Sequence, residues 1–215
     1  MELNFLGSDS GFGAKNNSAY YETDNTLVII DCGFTVFNII KEKFDLKKYD
    51  SIEVIITHLH NDHAGSLGQL ILYSWFVFHK KITVISRCKH IKKYLKITGA
   101  TDGAYEIKRS TPNLKFIKTK HVKNMDCYGF ILTLDNESII YTGDTSTLKP
   151  FEPYFSQISK LYVDVSASNG GVHLYIDEIL PVLDSLKSKG ISIFLMHIDN
   201  REHVSSIADN RFVIE

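Results

Sequence analysis

Seven consecutive residues constrain this chain more than any other stretch. Thr57-His58-Leu59-His60-Asn61-Asp62-His63 brings three imidazoles and a carboxylate within six positions. They follow directly on Ser51-Ile52-Glu53-Val54-Ile55-Ile56, a run with the length and β-branched content of a buried strand. A strand delivers its last residues to a sheet edge, where the chain must turn. Side chains at 58, 60, 62 and 63 can therefore surround one small volume from several directions. Imidazole nitrogen suits zinc and its neighbours, and carboxylate adds the harder oxygen that a second or catalytic ion favours. Chance rarely puts three of a chain's nine histidines inside one such window.

Further ligand types recur where apolar runs end. His121 lies near the end of the strand-like residues 115–122. Asp144 follows Ile139-Ile140-Tyr141-Thr142-Gly143, with Gly143 free to turn the backbone just before the carboxylate. His197 terminates Ile193-Phe194-Leu195-Met196. With the loop these make seven candidates (His58, His60, Asp62, His63, His121, Asp144 and His197), enough for two ions sharing one bridge.

The remaining pattern predicts one domain over residues 1–215, a length that can bury a full core. Strands are expected at 3–6, 18–22, 26–31, 51–57, 81–86, 115–122, 129–134, 138–142, 160–165 and 191–196. Helices are expected at 35–44, at 65–78 (buried, since apolar residues occupy most faces), at 90–97 and at 175–188, where Pro181 kinks the helix or marks a later start. Two clusters of strands with helices between them suggest sheets packed face to face and covered by helices. The longest apolar stretch, 70–78, is far too short to span a bilayer. Met1-Glu2-Leu3-Asn4 runs straight into a strand pattern instead of a basic-then-apolar leader. Cys32, Cys88 and Cys127 are odd in number and far apart. Both observations suggest a cytoplasmic protein with reduced thiols. The net charge of −1 conceals segregation: residues 80–123 hold thirteen Lys or Arg against Asp102 and Glu106. That imbalance points to an anionic partner or, equally, to a solvated surface laced with salt bridges.

Thr57-His58-Leu59-His60-Asn61-Asp62-His63-Ala64-Gly65 and Tyr141-Thr142-Gly143-Asp144-Thr145 together resemble the metallo-β-lactamase fold superfamily, and the order of motifs agrees along essentially the whole chain. The resemblance implies a four-layer αββα sandwich with a dinuclear site. Carried over, it assigns His58, His60 and His121 to one ion and Asp62, His63 and His197 to the other, with Asp144 as the bridge. Asp31, in Val28-Ile29-Ile30-Asp31-Cys32-Gly33, matches the aspartate that orients a ligand imidazole. Zinc is the ion such a set favours, with manganese or iron as alternatives.

Within the superfamily, Phe5-Leu6-Gly7-Ser8-Asp9-Ser10-Gly11 and Gly171-Val172-His173-Leu174 are similar to segments of ribonuclease Z-like phosphodiesterases. That likeness makes His173 the candidate acid for a leaving oxygen, beside Asp62 as the residue that orients the attacking hydroxide. Where the branch carries a glutamate this chain has Val165, which leaves Asp164 as the carboxylate to partner His173. No counterpart of the tRNA-gripping arm is evident, so the expected substrate is a small phosphodiester such as a cyclic nucleotide or short oligonucleotide. Hydrolysis of a carboxylic ester, lactone or thioester by the same site is the alternative, and a non-catalytic, metal-stabilised binding subunit a third. Relatives in this branch often pair as homodimers, which the resemblance allows here.

Overall fold

Apolar runs become strands here because β-branched residues pack on a pleated surface, and the parallel strands, covered on both faces, need no polar alternation. The computed structural model describes residues 2–215, which divide into two compact units, 2–111 and 112–215. Among the described residues each unit contains one six-stranded mixed sheet.

In the N-terminal unit, β1 (Asn4–Gly7), β2 (Ser18–Thr23) and β3 (Thr26–Ile30) run antiparallel. The β2–β3 turn is made by Asp24 and Asn25, both at positive φ, as a two-residue hairpin on right-twisted strands requires. Then β4 (Ser51–Ile55), β5 (Ile82–Ile85) and β6 (Tyr105–Lys108) add in parallel to β3. The parallel crossovers carry α1 (Val36–Lys43), α2 (Asn61–Ala64), α3 (Leu67–Phe78) and α4 (Ile91–Ile97). Ile30 lies opposite Ile55 in the β3–β4 ladder, so Asp31 and Thr57 leave neighbouring strands at the same carboxyl edge. Ile29, Val54, Leu67, Leu70 and Ile71 are fully buried. Each such side chain contributes roughly 1.5–3 kcal/mol through area removed from water.

The C-terminal unit repeats the plan. Strands β7 (Leu114–Lys118), β8 (Tyr128–Leu134) and β9 (Glu137–Tyr141) are antiparallel. Beyond β9, β10 (Lys160–Asp164), β11 (Ser192–Met196) and β12 (Val213–Ile214) continue in parallel. Helices α5 (Ile176–Ser188) and α6 (Arg201–Ala208) link β10 to β11 and β11 to β12. The core of this unit gathers Leu161, Val163 and Val165 with Leu183, Leu186, Ile193 and Leu195.

Three expectations need correction. The strand foreseen over 115–122 stops at Lys118, so His121 sits in the following loop instead of within a strand. The histidine loop does not lead straight into one helix: the single turn α2 lifts Asp62 and His63 before Ser66 starts α3. Helix α3 buries Leu67, Gly68, Leu70, Ile71 and Ser74, while Gln69, Phe76 and Val77 are exposed. The helix expected over 175–188 is present as α5, Ile176–Ser188, with Pro181 inside it and Leu183 and Leu186 in the core. Missed altogether were β6, α6, β12 and the 3₁₀ segment Lys149–Gln157. The first alternates half-buried with exposed residues and carries charge, so it shows too little apolar signal.

All three cysteines are buried and outside any disulfide, and burial pushes the Cys32 thiol up to about 12. Thiolate is the reactive form. Native protein at pH 8 is therefore expected to leave Cys32 unalkylated, with all three thiols labelled in denaturant by intact mass. Fast labelling of Cys32 in the folded state would contradict that burial.

Candidate metal centre

Each unit assembles its own cluster of imidazole and carboxylate groups at the carboxyl edge of its parallel strands. In open α/β sheets this is the edge where ligands bind.

In the N-terminal unit the organising residue is Asp31. It is fully buried and held at φ 60°, a left-handed conformation uncommon for a residue with a side chain. Its carboxylate accepts from the Thr57 N–H (2.8 Å), from Thr57 Oγ (2.8 Å) and from His63 Nδ1 (2.8 Å). Burial pushes this carboxyl above the ordinary range, against the opposing pull of His63 and Thr57. Since the Thr57 hydroxyl spends its proton on Asp31, it must accept from His58 Nδ1 at 3.1 Å. One carboxylate thus fixes two rings, His63 directly and His58 through Thr57. Both rings turn Nε2 the other way: His58 Nε2 lies 3.0 Å from His60 Nδ1, and His63 Nε2 lies 3.2 Å from Asp62 Oδ2. Gly33 makes the close fit of the loop possible, because a Cβ there would fall 1.9 Å from the Asp62 carbonyl oxygen.

The C-terminal unit uses the same device. Gly143, at φ 55°, turns the chain after β9 and delivers Asp144, which is 2% exposed. His121 Nε2 and His197 Nε2 lie 3.5 and 3.6 Å from Asp144 Oδ2. His121 Nδ1 faces the Val172 carbonyl at 2.8 Å, an acceptor that assigns the proton to Nδ1. His197 Nδ1 faces Asp164 at 3.3 Å. Asp164 ends β10 fully buried, accepts from the Thr145 N–H (3.0 Å) and takes a hydrogen bond from His173 Nδ1 at 2.9 Å. Asp144, Asp164, His173 and His197 each bring a donor atom within 4.8 Å of the others. Burial opposes charge on His173, but Asp164, helped by Asp144, prevails and holds its imidazole above the ordinary value.

The donor sets fit divalent metal. Two ligands on a tetrahedral zinc at about 2.0–2.1 Å lie about 3.3–3.4 Å apart. The His63–Asp62, His121–Asp144 and His197–Asp144 separations of 3.2, 3.5 and 3.6 Å bracket that value. In His58, His63 and His121, Nδ1 is hydrogen-bonded to an oxygen, and His197 Nδ1 faces Asp164 at 3.3 Å. This leaves Nε2 as the ligating atom, the arrangement in which outer contacts fix the tautomer.

His58, His60, Asp62 and His63 fall together in one unit, and His121, Asp144 and His197 in the other, with Asp31 and Asp164 behind them. Asp164 does contact His173, whereas Val165 is wholly in the core. Sequence reasoning missed Thr57 and the Val172 carbonyl. The first stands beside His58 and had a readable signal; the second is backbone and had none. Some of the cation excess between 80 and 123 is structural. Lys80 donates to the carbonyls of Leu46, Lys47 and Tyr49, Lys108 pairs with Glu106, and Arg109 caps the carbonyls of Ser86 and Cys88. Lys120 and Lys149, by contrast, line a cleft of about 400 Å³ in the C-terminal unit together with His173, Asn169 and Tyr175.

Among the described residues no helix is long and apolar enough to cross a membrane. Comparison with solved structures gives a metallo-β-lactamase fold protein of Bacillus subtilis, YhfI, at TM-score 0.80 and 19% identity, covering 99% of this chain and 95% of that one. Human tRNase Z, short form, follows at TM-score 0.68 and 14% identity, covering 94% of each chain. The chain therefore has the metallo-β-lactamase fold, as its signature loop implied. Among sequence relatives, the anti-Pycsar protein Apyc1 of Bacillus phage 010DV004 is 27% identical over 237 aligned residues, covering 94% of this chain and 91% of its own length. The model of the anti-Pycsar protein Apyc1 family matches residues 1–96 and 85–213, nearly the whole chain, which therefore belongs to that family.

Proposed function

We propose that this protein is a dinuclear, metal-dependent phosphodiesterase that opens a cyclic nucleotide. Family membership puts cyclic pyrimidine nucleotides first among the candidates. In this reading the two units act as one catalytic domain. His58, His60 and His121 would hold one ion and Asp62, His63 and His197 the other, with Asp144 shared between them. Zinc suits the nitrogen-rich donors best, with manganese or iron as alternatives. Divalent ions would supply hydroxide at neutral pH and positive charge against the phosphoryl oxygens.

The chain's own residues do the rest. Asp31, directly and through Thr57, keeps His63 and His58 in the tautomer that leaves Nε2 available. Asp62, besides binding, accepts a hydrogen bond from the attacking water and sets its line of approach. As the new P–O bond forms and the ester P–O bond breaks, the Nε2 proton of His173 passes to the departing ribose oxygen. Asp164 stabilises the cationic ring before that transfer and keeps it correctly turned. Lys120, on the cleft that His173 lines, adds positive charge for an anionic substrate. Three thiols outside any disulfide suit a reducing compartment, and we place the protein in the cytoplasm.

The observation that carries this reading is the His173–Asp164 pair, 2.9 Å apart, with His173 Nδ1 4.0 Å from Asp144. A poor leaving group such as a ribose alkoxide needs a proton donor at that place. A substrate panel tests it. Metal-depleted protein reconstituted with zinc or manganese should hydrolyse pyrimidine or purine 3′,5′-cyclic nucleotides and bis-p-nitrophenyl phosphate, and chelation should abolish both. Turnover confined to lactones, thioesters or carboxylic esters would overturn the phosphodiesterase reading and favour its carbonyl alternative.

A further inference from the structure

Two residues beyond His197, the exposed carboxylate of Asp199 makes contacts that no motif accounts for. Its Oδ2 accepts from Ser166 Oγ at 2.6 Å and its Oδ1 from the Ala167 N–H at 2.7 Å, with Ser168 Oγ 3.5 Å away. Ser166 is the neck of a closed loop. Its N–H donates to the Leu174 carbonyl (2.8 Å), and its own carbonyl accepts from the Ile176 N–H (3.0 Å).

Between those ties Leu174 enters the core and Asn169 donates to Glu178 (2.9 Å), but the glycine segment is open. A Cβ added at Gly170 or Gly171 would meet no atom within 4 Å, and Gly171 sits at φ 74°. Yet two contacts of the candidate centre depend on where this loop lies. The Val172 carbonyl fixes the His121 ring, and the next residue, His173, reaches Asp164. With open glycines just before Val172, the position of those two residues depends strongly on how the ends of the loop are held.

We propose that Asp199 is a positioning residue: by clamping the neck of loop 166–176 it holds in register both the carbonyl that orients His121 and the imidazole of His173. The inference relies on the proposed phosphodiesterase activity only for its kinetic readout. Asp199 stands outside the proposed ligand set, and the strand end that carries His197 also carries this clamp. Positioning of a ligand imidazole and of the proton donor are thereby coupled through one carboxylate.

The test uses zinc-loaded, full-length protein and the variants Asp199→Ala, Asp199→Asn and Ser166→Ala. Outer contacts of this kind are typically worth about 10- to 100-fold in metal affinity or activity. Asp199→Ala is accordingly expected to release zinc to a chelator about tenfold faster and to lower kcat about tenfold, while KM moves less than about threefold. Amide hydrogen exchange should quicken in residues 166–176 and stay at wild-type rates in β10 and β11. Asp199→Asn, which keeps an oxygen for the Ala167 N–H, should recover part of each loss. Ser166→Ala should cost less in the Asp199→Ala background than alone, the remainder being the Ser168 N–H bond that Ser166 Oγ also accepts.

The clamp is refuted if Asp199→Ala keeps loop exchange and zinc release within twofold of wild type. It is equally refuted if exchange rises across the whole C-terminal unit and the Asn variant behaves like the Ala variant, because that would make the carboxylate a general stabiliser. Should the wild-type protein hydrolyse no phosphodiester, the substrate reading fails, while zinc release and loop exchange still decide the clamp.

Discussion

Asp144→Ala is expected to lose turnover of a cyclic nucleotide by at least about a thousandfold in kcat/KM, or about 4 kcal/mol of transition-state stabilisation. In the C-terminal unit His121 and His197 both bring Nε2 toward the carboxylate of Asp144. Removing it takes away the proposed bridge and leaves those rings with no anion between them. Metal analysis of the same variant should show less than one ion per chain. The sheet should survive, since Asp144 lies beyond Gly143 at a strand edge and contributes nothing to the apolar core. Circular dichroism should therefore match the wild type. A variant that retained kcat/KM within tenfold would remove Asp144 from the chemistry.

His173→Ala should separate proton donation from metal binding. Positioned acid catalysis contributes about 10²–10⁴-fold where the leaving group is a strong base. The variant is expected to lose about 100- to 1000-fold in kcat with a cyclic nucleotide, whose ribose oxygen departs as an alkoxide. With bis-p-nitrophenyl phosphate the loss should stay under about tenfold, because nitrophenolate departs without a proton. Metal content should not change. An equal loss on both substrates would mean that His173 supports the site only as scaffolding, through Asp164 and its stacked neighbour His197.

The two sheets and their parallel strands were legible because nearly every buried strand is a short apolar run punctuated by a turn. The ligand candidates were legible for the same reason: each sits where such a run ends, and histidine is rare enough for a cluster to stand out. What escaped was encoded by geometry that a one-dimensional pattern does not carry. Strand β6 relies on pairing with β5 along its length instead of on apolar content. Asp31 and His197 adopt left-handed backbone conformations, at φ 60° and 59°, that no propensity would assign to them. Sheet packing and side-chain hydrogen bonds override local preference there, as is common where a site stores strain. The His121 loop was misread as strand because Thr119 and Val122 prolong the β-branched pattern past the point where pairing with β8 stops at Tyr128. Val172 acts through its carbonyl, and a backbone acceptor leaves no trace in residue identity.

Anomalous diffraction from crystals of the metal-loaded protein is the most direct test of whether the two ligand clusters serve one pair of ions. The account predicts two peaks about 3.5–4 Å apart. One should touch His58, His60 and His121, the other Asp62, His63 and His197, with Asp144 reaching both. Ions held separately by the two units, or held by one unit alone, would contradict it.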